Sequence, residues 1–184
     1  METISYNGKH TYLATTKKFT TGAPSFIETG HIQPCDLSDE IIEKAKEIVF
    51  SALDALHIEN SAGHSEFKVD ENGNIRIIEI GARMGGDFIG SDLVQLSTGY
   101  DFVRGVIEVA LGQFEVPVLT DNAYSGVYFL SAATSQVAHF IQQTQQYPAI
   151  VQAEQTDAEL HQVTCSAERS GYFIYKDTKK FVIE

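Results

Sequence analysis

Cysteine is nearly absent from the 184 residues: only Cys35 and Cys165 occur, far apart and without Cys-x-x-Cys spacing. That argues against a disulfide framework or a zinc ribbon and leaves two ordinary reduced thiols. Basic residues are also scarce, 13 Lys and Arg against 25 Asp and Glu, for a formal net charge of −12. A nucleic-acid partner would call for a basic patch, so that class is set aside. A nucleotide is not, because a bound divalent cation and a few local cations can carry its phosphates. No apolar run approaches the roughly 18 residues of a membrane span, and no basic segment followed by an apolar stretch opens the chain. The expectation is a cytoplasmic protein with no membrane partner. Apolar content of 43% with 21% charged residues suits a globular chain, long enough for one domain or one and a half.

What is present centres on Glu66–Gly86. Two apolar runs flank Asp70-Glu71-Asn72-Gly73-Asn74. Asn-Gly between such runs signals a hairpin, since a type I′ turn needs positive φ at both central residues. With Asn72 and Gly73 at the turn, Glu71 pairs with Asn74 and Glu66 stands opposite Glu79, their Cβ atoms about 5 Å apart. Facing carboxylates repel unless something lies between them. Hard oxygen donors suit Mg²⁺ or Mn²⁺, with phosphates completing the shell. The plainer alternative is two glutamates on a solvated strand face. The second strand runs into Gly81-Ala82-Arg83-Met84-Gly85-Gly86-Asp87, where glycines let amides approach an anion and Arg83 adds a fork of donors. The pattern is that of a phosphate-handling site. It is neither a Walker A loop nor the dinucleotide fingerprint. His64-x-Glu66 lacks the Pro-Cys-x-x-Cys of a zinc deaminase, and His161 with Cys165 falls in a stretch that reads as strand.

Along the chain, Asn7-Gly8 marks another hairpin, between Thr3–Tyr6 and Lys9–Lys17, and Phe26–Gln33 reads as a short strand before Pro34. Ser38 should cap a helix whose core face carries Ile41, Ala45, Ile48, Val49, Ala52, Leu53 and Leu56. Asp87 or Ser91 should cap a helix stopped at Gly99. Asp101 should cap the next, with Val103, Val106, Ile107, Ala110 and Leu111 as its buried stripe. After a connector at 115–123 come four β-prone runs: Val127–Leu130, Val137–Ile141, Ala149–Val151 and Tyr172–Tyr175. The expected class is α+β: an antiparallel sheet with helices packed on it over residues 1–114, then a small, mainly β subdomain over 115–184.

With these residues laid out, the chain resembles the second half of an ATP-grasp fold followed by the small β subdomain of the biotin carboxylase and carbamoyl-phosphate synthase type. The resemblance runs from about Ile4 to Gly112 and more loosely to Glu184. It is carried by His64-Ser65-Glu66-Phe67 and by Ile78-Glu79-Ile80-Gly81-Ala82-Arg83-Met84-Gly85-Gly86. It implies that Glu66 and Glu79 bind the Mg²⁺ (or Mn²⁺) that bridges ATP phosphates, and that Arg83 holds an acyl-phosphate or substrate anion. It also implies that the tract Phe26–Pro34 lines the acceptor side, with His31 as its substrate-facing residue. One departure stands out: where the family pattern Glu-x-Asn-x-Arg places a metal-binding Asn, this chain has Gly81.

The function so implied is an ATP-dependent ligase that activates a small-molecule carboxylate as an acyl-phosphate and passes it to an amine or similar nucleophile. The family's adenine pocket and phosphate-gripping lysine belong to a first half with no counterpart here. The expectation is therefore a fragment whose missing N-terminal half is supplied in cis or in trans, inactive alone, with an open strand edge at which a second copy could pair into a homodimer. The alternative is a non-catalytic interaction or regulatory module that keeps the fold without the chemistry.

Overall fold

The computed structural model describes residues 1–183. In chain order its main elements are β1 (Glu2–Tyr6), β2 (Lys9–Ala14), β3 (Lys17–Thr20), β4 (Glu28–Gln33), α1 (Asp39–Ala55), β5 (Ser61–Val69) and β6 (Ile75–Gly81). A π-helical turn, Ile89–Leu93, then leads into α2 (Val94–Thr98) and α3 (Phe102–Ala110). Beyond them come β7 (Tyr124–Leu130), α4 (Val137–Gln142), β8 (Ile150–Gln155) and β9 (Gly171–Asp177). The class is α+β with antiparallel sheets, as expected. No helix among the described residues is long and apolar enough to cross a membrane.

The expected serial boundary after residue 114 is replaced by an interleaved one. One compact unit holds Met1–Thr16 and Cys35–Asp121; the other holds Lys17–Pro34 and the chain from Asn122 onward. The cause is strand pairing. β3 and β4 pair with β7, in the order β3-β4-β7-β9-β8, and β4 meets β7 through Gly30↔Tyr128 to Gln33↔Ser125. Such long-range partners cannot be read from local periodicity.

In the first unit the order is β2-β1-β5-β6. Asn7 (φ 50°) and Gly8 (φ 72°) form the expected left-handed turn between β1 and β2. One face of the sheet meets α1 through Ala45, Val49 and Leu53, packed with Tyr12, Phe67, Ile75 and Ile80. Ser38 caps this helix as expected. Leu56, expected on its core face, lies just past the helix end and is exposed. The other face carries Ile4, Leu13 and Ala62 against Val94, Phe102 and Val109.

Two further helices differ from expectation. Neither Asp87 nor Ser91 caps the segment after Gly86: it starts as a π turn behind Phe88, with no side-chain cap. In α3 the buried face is Phe102, Gly105 and Val109, while Val103, Ile107 and Leu111 are exposed. Gly105 sets this rotation, since a Cβ there would overlap the Tyr100 hydroxyl.

In the second unit, Val137–Ile141 is helical rather than β. Val137, Phe140 and Ile141 have i, i+3, i+4 spacing and pack with Phe173 and Tyr175, an arrangement that a short apolar run allows as readily as a strand. The stretch around His161 and Cys165 is not strand but loop, with one 3₁₀ turn at Ser166–Glu168. Both cysteines are free.

Leu53 is fully buried in the α1 interface. Leu53→Ala is expected to destabilise the first unit by about 2–5 kcal/mol, read as a lower urea midpoint with unchanged m-value.

Candidate active site

The hairpin that carries the site turns differently from the expected two-residue form. Asp70 organises a longer loop: its carboxylate accepts from the Asn72 and Asn74 amides, each at 2.9 Å, and from Asn74 Nδ2 at 2.9 Å. The Asn74 side-chain bond, with the amide bonds beside it, holds the Asp70 carboxyl below its usual range. Only Gly73, at φ 75°, is left-handed; Asn72 is not. Pairing then runs Val69↔Ile75, Lys68↔Arg76 and Phe67↔Ile77. Continued unbroken, it would set Ile78 opposite Glu66. A bulge intervenes: Ile78 is the extra residue, 58% exposed, and Glu79 arrives opposite Glu66. The expected register therefore holds, reached by a longer loop plus a bulge.

Directly opposed residues share a sheet face, as do residues two apart. Glu2 of β1 lies opposite His64 of β5, which lies opposite Gly81 of β6; Glu66 and Glu79 form the next rung. Glu2 has no solvent exposure. Its Oε1 contacts His64 Nδ1, and its Oε2 accepts from the Gly85 amide at 3.0 Å. On the far side of the ring, His64 Nε2 lies 3.2 Å from Glu66 Oε1. The Glu66 side chain is one-third exposed. Glu79, about half exposed, has Arg83 Nη2 at 3.6 Å from its Oε1, while Arg83 Nη1 donates to the Met84 carbonyl at 2.9 Å. A pair this exposed holds Glu79 by at most about 1 kcal/mol.

Arg83 also lines a groove of about 790 Å³ with Asn60, Ser61, Met84, Val106 and Leu111. The two glutamates do not line it, so the arginine stands between the carboxylate rung and the groove. After Gly85 and Gly86 the backbone is left-handed at two consecutive non-glycine residues, Asp87 (φ 52°) and Phe88 (φ 66°), a strained link of the kind found beside functional sites.

Of the residues singled out in the sequence, Glu66, Glu79 and Arg83 are brought together. His31 belongs to the other unit, is 1% exposed, and sets its ring against Phe129 at a centroid distance of 5.6 Å. Within that unit it is a packed ring rather than an exposed imidazole. Glu2 has no signal in the sequence, and the motifs that contain His64 and Gly85 do not show that a buried carboxylate joins them. Their connection depends on β1 pairing with β5, for which the sequence carries no local signal.

The donor set fits a hard divalent cation in one respect: two carboxylates face each other on one rung, and Mg²⁺ characteristically takes one or two carboxylates with phosphates and water. Among the described residues no group of three His, Cys, Asp or Glu is placed to hold a metal. The third position, Gly81, has no side chain. A Cβ there would meet His64 O at 3.4 Å and Arg83 Cγ at 3.5 Å, ordinary contact distances.

Residues 3–92 match the ATP-grasp domain family. The chain carries an ATP-grasp fold. Among solved structures it is similar to an L-amino acid ligase from Bacillus licheniformis, with a TM-score of 0.79 and 23% identity over 97% of this chain and 48% of that one. It is also similar to a phosphoribosylglycinamide synthetase from Anaerococcus prevotii, with a TM-score of 0.75 and 18% identity over 97% of this chain and 47% of that one. Among curated proteins, the alanine–anticapsin ligase of Bacillus subtilis is 39% identical over 61 residues, 33% of this chain and 13% of that protein. The chain thus spans about half the length of the two solved ATP-grasp relatives.

Gly85 tests the packing of the site. A Cβ there would come within 2.9 Å of both His64 Nδ1 and Ile89 Cγ2. Gly85→Ala is expected to cost about 1–3 kcal/mol, measured by urea unfolding, and to disturb the His64 ring resonances in NMR.

Proposed function

We propose that the chain supplies the cation- and phosphate-handling side of an ATP-dependent ligase that joins a carboxylate to an amine through an acyl-phosphate. The observation that carries this reading is the Glu66–Glu79 rung with Arg83 beside it. The chain's similarity to an L-amino acid ligase and to an alanine–anticapsin ligase supports an amino acid as one substrate.

In this reading Glu66 and Glu79 hold Mg²⁺ or Mn²⁺. When bound, the cation neutralises charge on the ATP phosphates. In the reaction the γ-phosphoryl group passes to a carboxylate oxygen and ADP leaves. The amine nitrogen then attacks the carbonyl carbon, the bond to the phosphate oxygen breaks, phosphate departs and the amine gives up a proton. The role assigned to this chain is positioning and charge stabilisation rather than covalent chemistry. Arg83 offers the transferring or acyl-bound phosphate a planar pair of donors. On binding, it would exchange its Glu79 contact for the phosphate, which leaves the Glu79 carboxylate to the cation.

A second reading, a non-catalytic module with the same fold, is favoured by Gly81. Calorimetric titration of Mg-ATP into the chain tests whether it assembles a nucleotide site by itself. Binding that is lost in Glu79→Gln would extend the ligase reading to this chain alone; no binding would mean that the site is only half built and that the ligase reading must be tested in a longer protein. In a longer enzyme containing this chain, Glu79→Gln is expected to lower ATP turnover by at least about 100-fold, and an unchanged rate would remove Glu79 from the ligand set. A Cβ at Gly81 meets its neighbours at ordinary contact distances, which makes Gly81→Asn a usable test. That substitution is expected to tighten Mn²⁺ binding by about tenfold, measured by electron paramagnetic resonance.

A further inference from the structure

We infer that the buried Glu2–His64 pair is a positioning device that fixes the Glu66 carboxylate and the Gly85 turn in one geometry; the inference rests on the reading of Glu66 as a cation ligand. A buried carboxylate is costly to desolvate, and an apolar residue would serve bare stability at least as well. Glu2 has both of its oxygens engaged: one by His64 Nδ1, the other by the Gly85 amide at 3.0 Å. The His64 side chain is 3% exposed, so its ring is held in place, and Nε2 lies 3.2 Å from Glu66 Oε1.

The ring bridges the two carboxylates, with Nδ1 facing Glu2 and Nε2 facing Glu66. Carboxylate ligands are commonly held in this way by a hydrogen-bond partner behind them, and loss of such partners typically weakens metal affinity by about 10–100-fold.

The arrangement is asymmetric. Glu66 is backed by a buried imidazole and, behind that, a fully buried carboxylate. Glu79 is half exposed and, among the described residues, has the 3.6 Å Arg83 contact beside it. Glu66 is the fixed ligand, and Glu79 is the one that closes on the cation. Because Glu2 also holds Gly85, the same buried group sets the turn that follows Arg83, so the cation and phosphate sides share one anchor.

The test uses Mn²⁺ as the probe and a paired substitution that leaves no buried charge alone, Glu2→Leu with His64→Phe; His64→Gln, which keeps a donor, is the conservative comparison. The metal-free readout is the side-chain order of Glu66 from ¹³C relaxation. The order is expected to be higher than that of Glu79 in the wild type, to fall to the Glu79 level in the paired variant, and to be partly restored in His64→Gln. The second readout is Mn²⁺ affinity, expected to weaken by about 10–100-fold in the paired variant. Unchanged Glu66 order would overturn the positioning role whatever the metal does. A fall in order with Mn²⁺ affinity unchanged within about twofold would overturn it as well, by making the pair merely structural. A fall in order in a chain whose wild type binds no Mn²⁺ would instead overturn the ligand reading of Glu66 and leave the His64–Glu66 contact standing.

Discussion

A carboxylate with no access to water must be answered on both oxygens, and in this chain that carboxylate is Glu2. His64 of β5 and the Gly85 amide supply the answer. Three stretches far apart in sequence are thereby tied: the first strand, the strand bearing Glu66, and the glycine turn after Arg83. None of them can shift by a residue without stranding a buried polar group. The constraint also explains the small residue at Gly85, where the His64 ring leaves no room for a Cβ.

The second constraint is register. Side chains alternate across a strand, so a slip of one residue would turn Glu79 to the α1 side of the sheet. The Asp70 loop and the Ile78 bulge together prevent this. The packing works to the same end. Phe67, Ile75 and Ile80 are committed to the α1 face, and Ala62 to the α2–α3 face, so Glu66 and Glu79 are left together on one rung. The fold thus bears two opposed carboxylates, an arrangement of little value to stability and suited to holding a cation.

Much of this was legible in the sequence because it is local. The Asn7-Gly8 turn, the Ser38 cap, the Asp101 cap and the Glu66–Glu79 opposition follow from neighbouring residues. The Glu66–Glu79 register was reached through a two-residue turn that does not form. The bulge at Ile78 restored the same pairing, and no sequence rule separates that case from the simpler one. What failed was long-range. The segment holding β3 and β4 looked continuous with the first unit because its partner β7 lies about ninety positions on. His31 matched a tract of the resemblance, yet its ring is packed against Phe129. α3 showed an apolar stripe that periodicity would bury, but Gly105 admits the Tyr100 ring and turns a different face inward. Glu2 stayed unnoticed because a glutamate on a strand reads as solvated until its neighbour across the sheet is known.

The central claim is that Glu66 and Glu79 grip a divalent cation while Glu2 and His64 hold the first of them still. The most direct measurement is anomalous diffraction from a crystal of the chain soaked in Mn²⁺ and a nucleotide. The account predicts one anomalous peak between the two carboxylates, in contact with an oxygen of each, with the His64 contact to Glu66 retained. A peak elsewhere, or a bound nucleotide with no cation between Glu66 and Glu79, would contradict it.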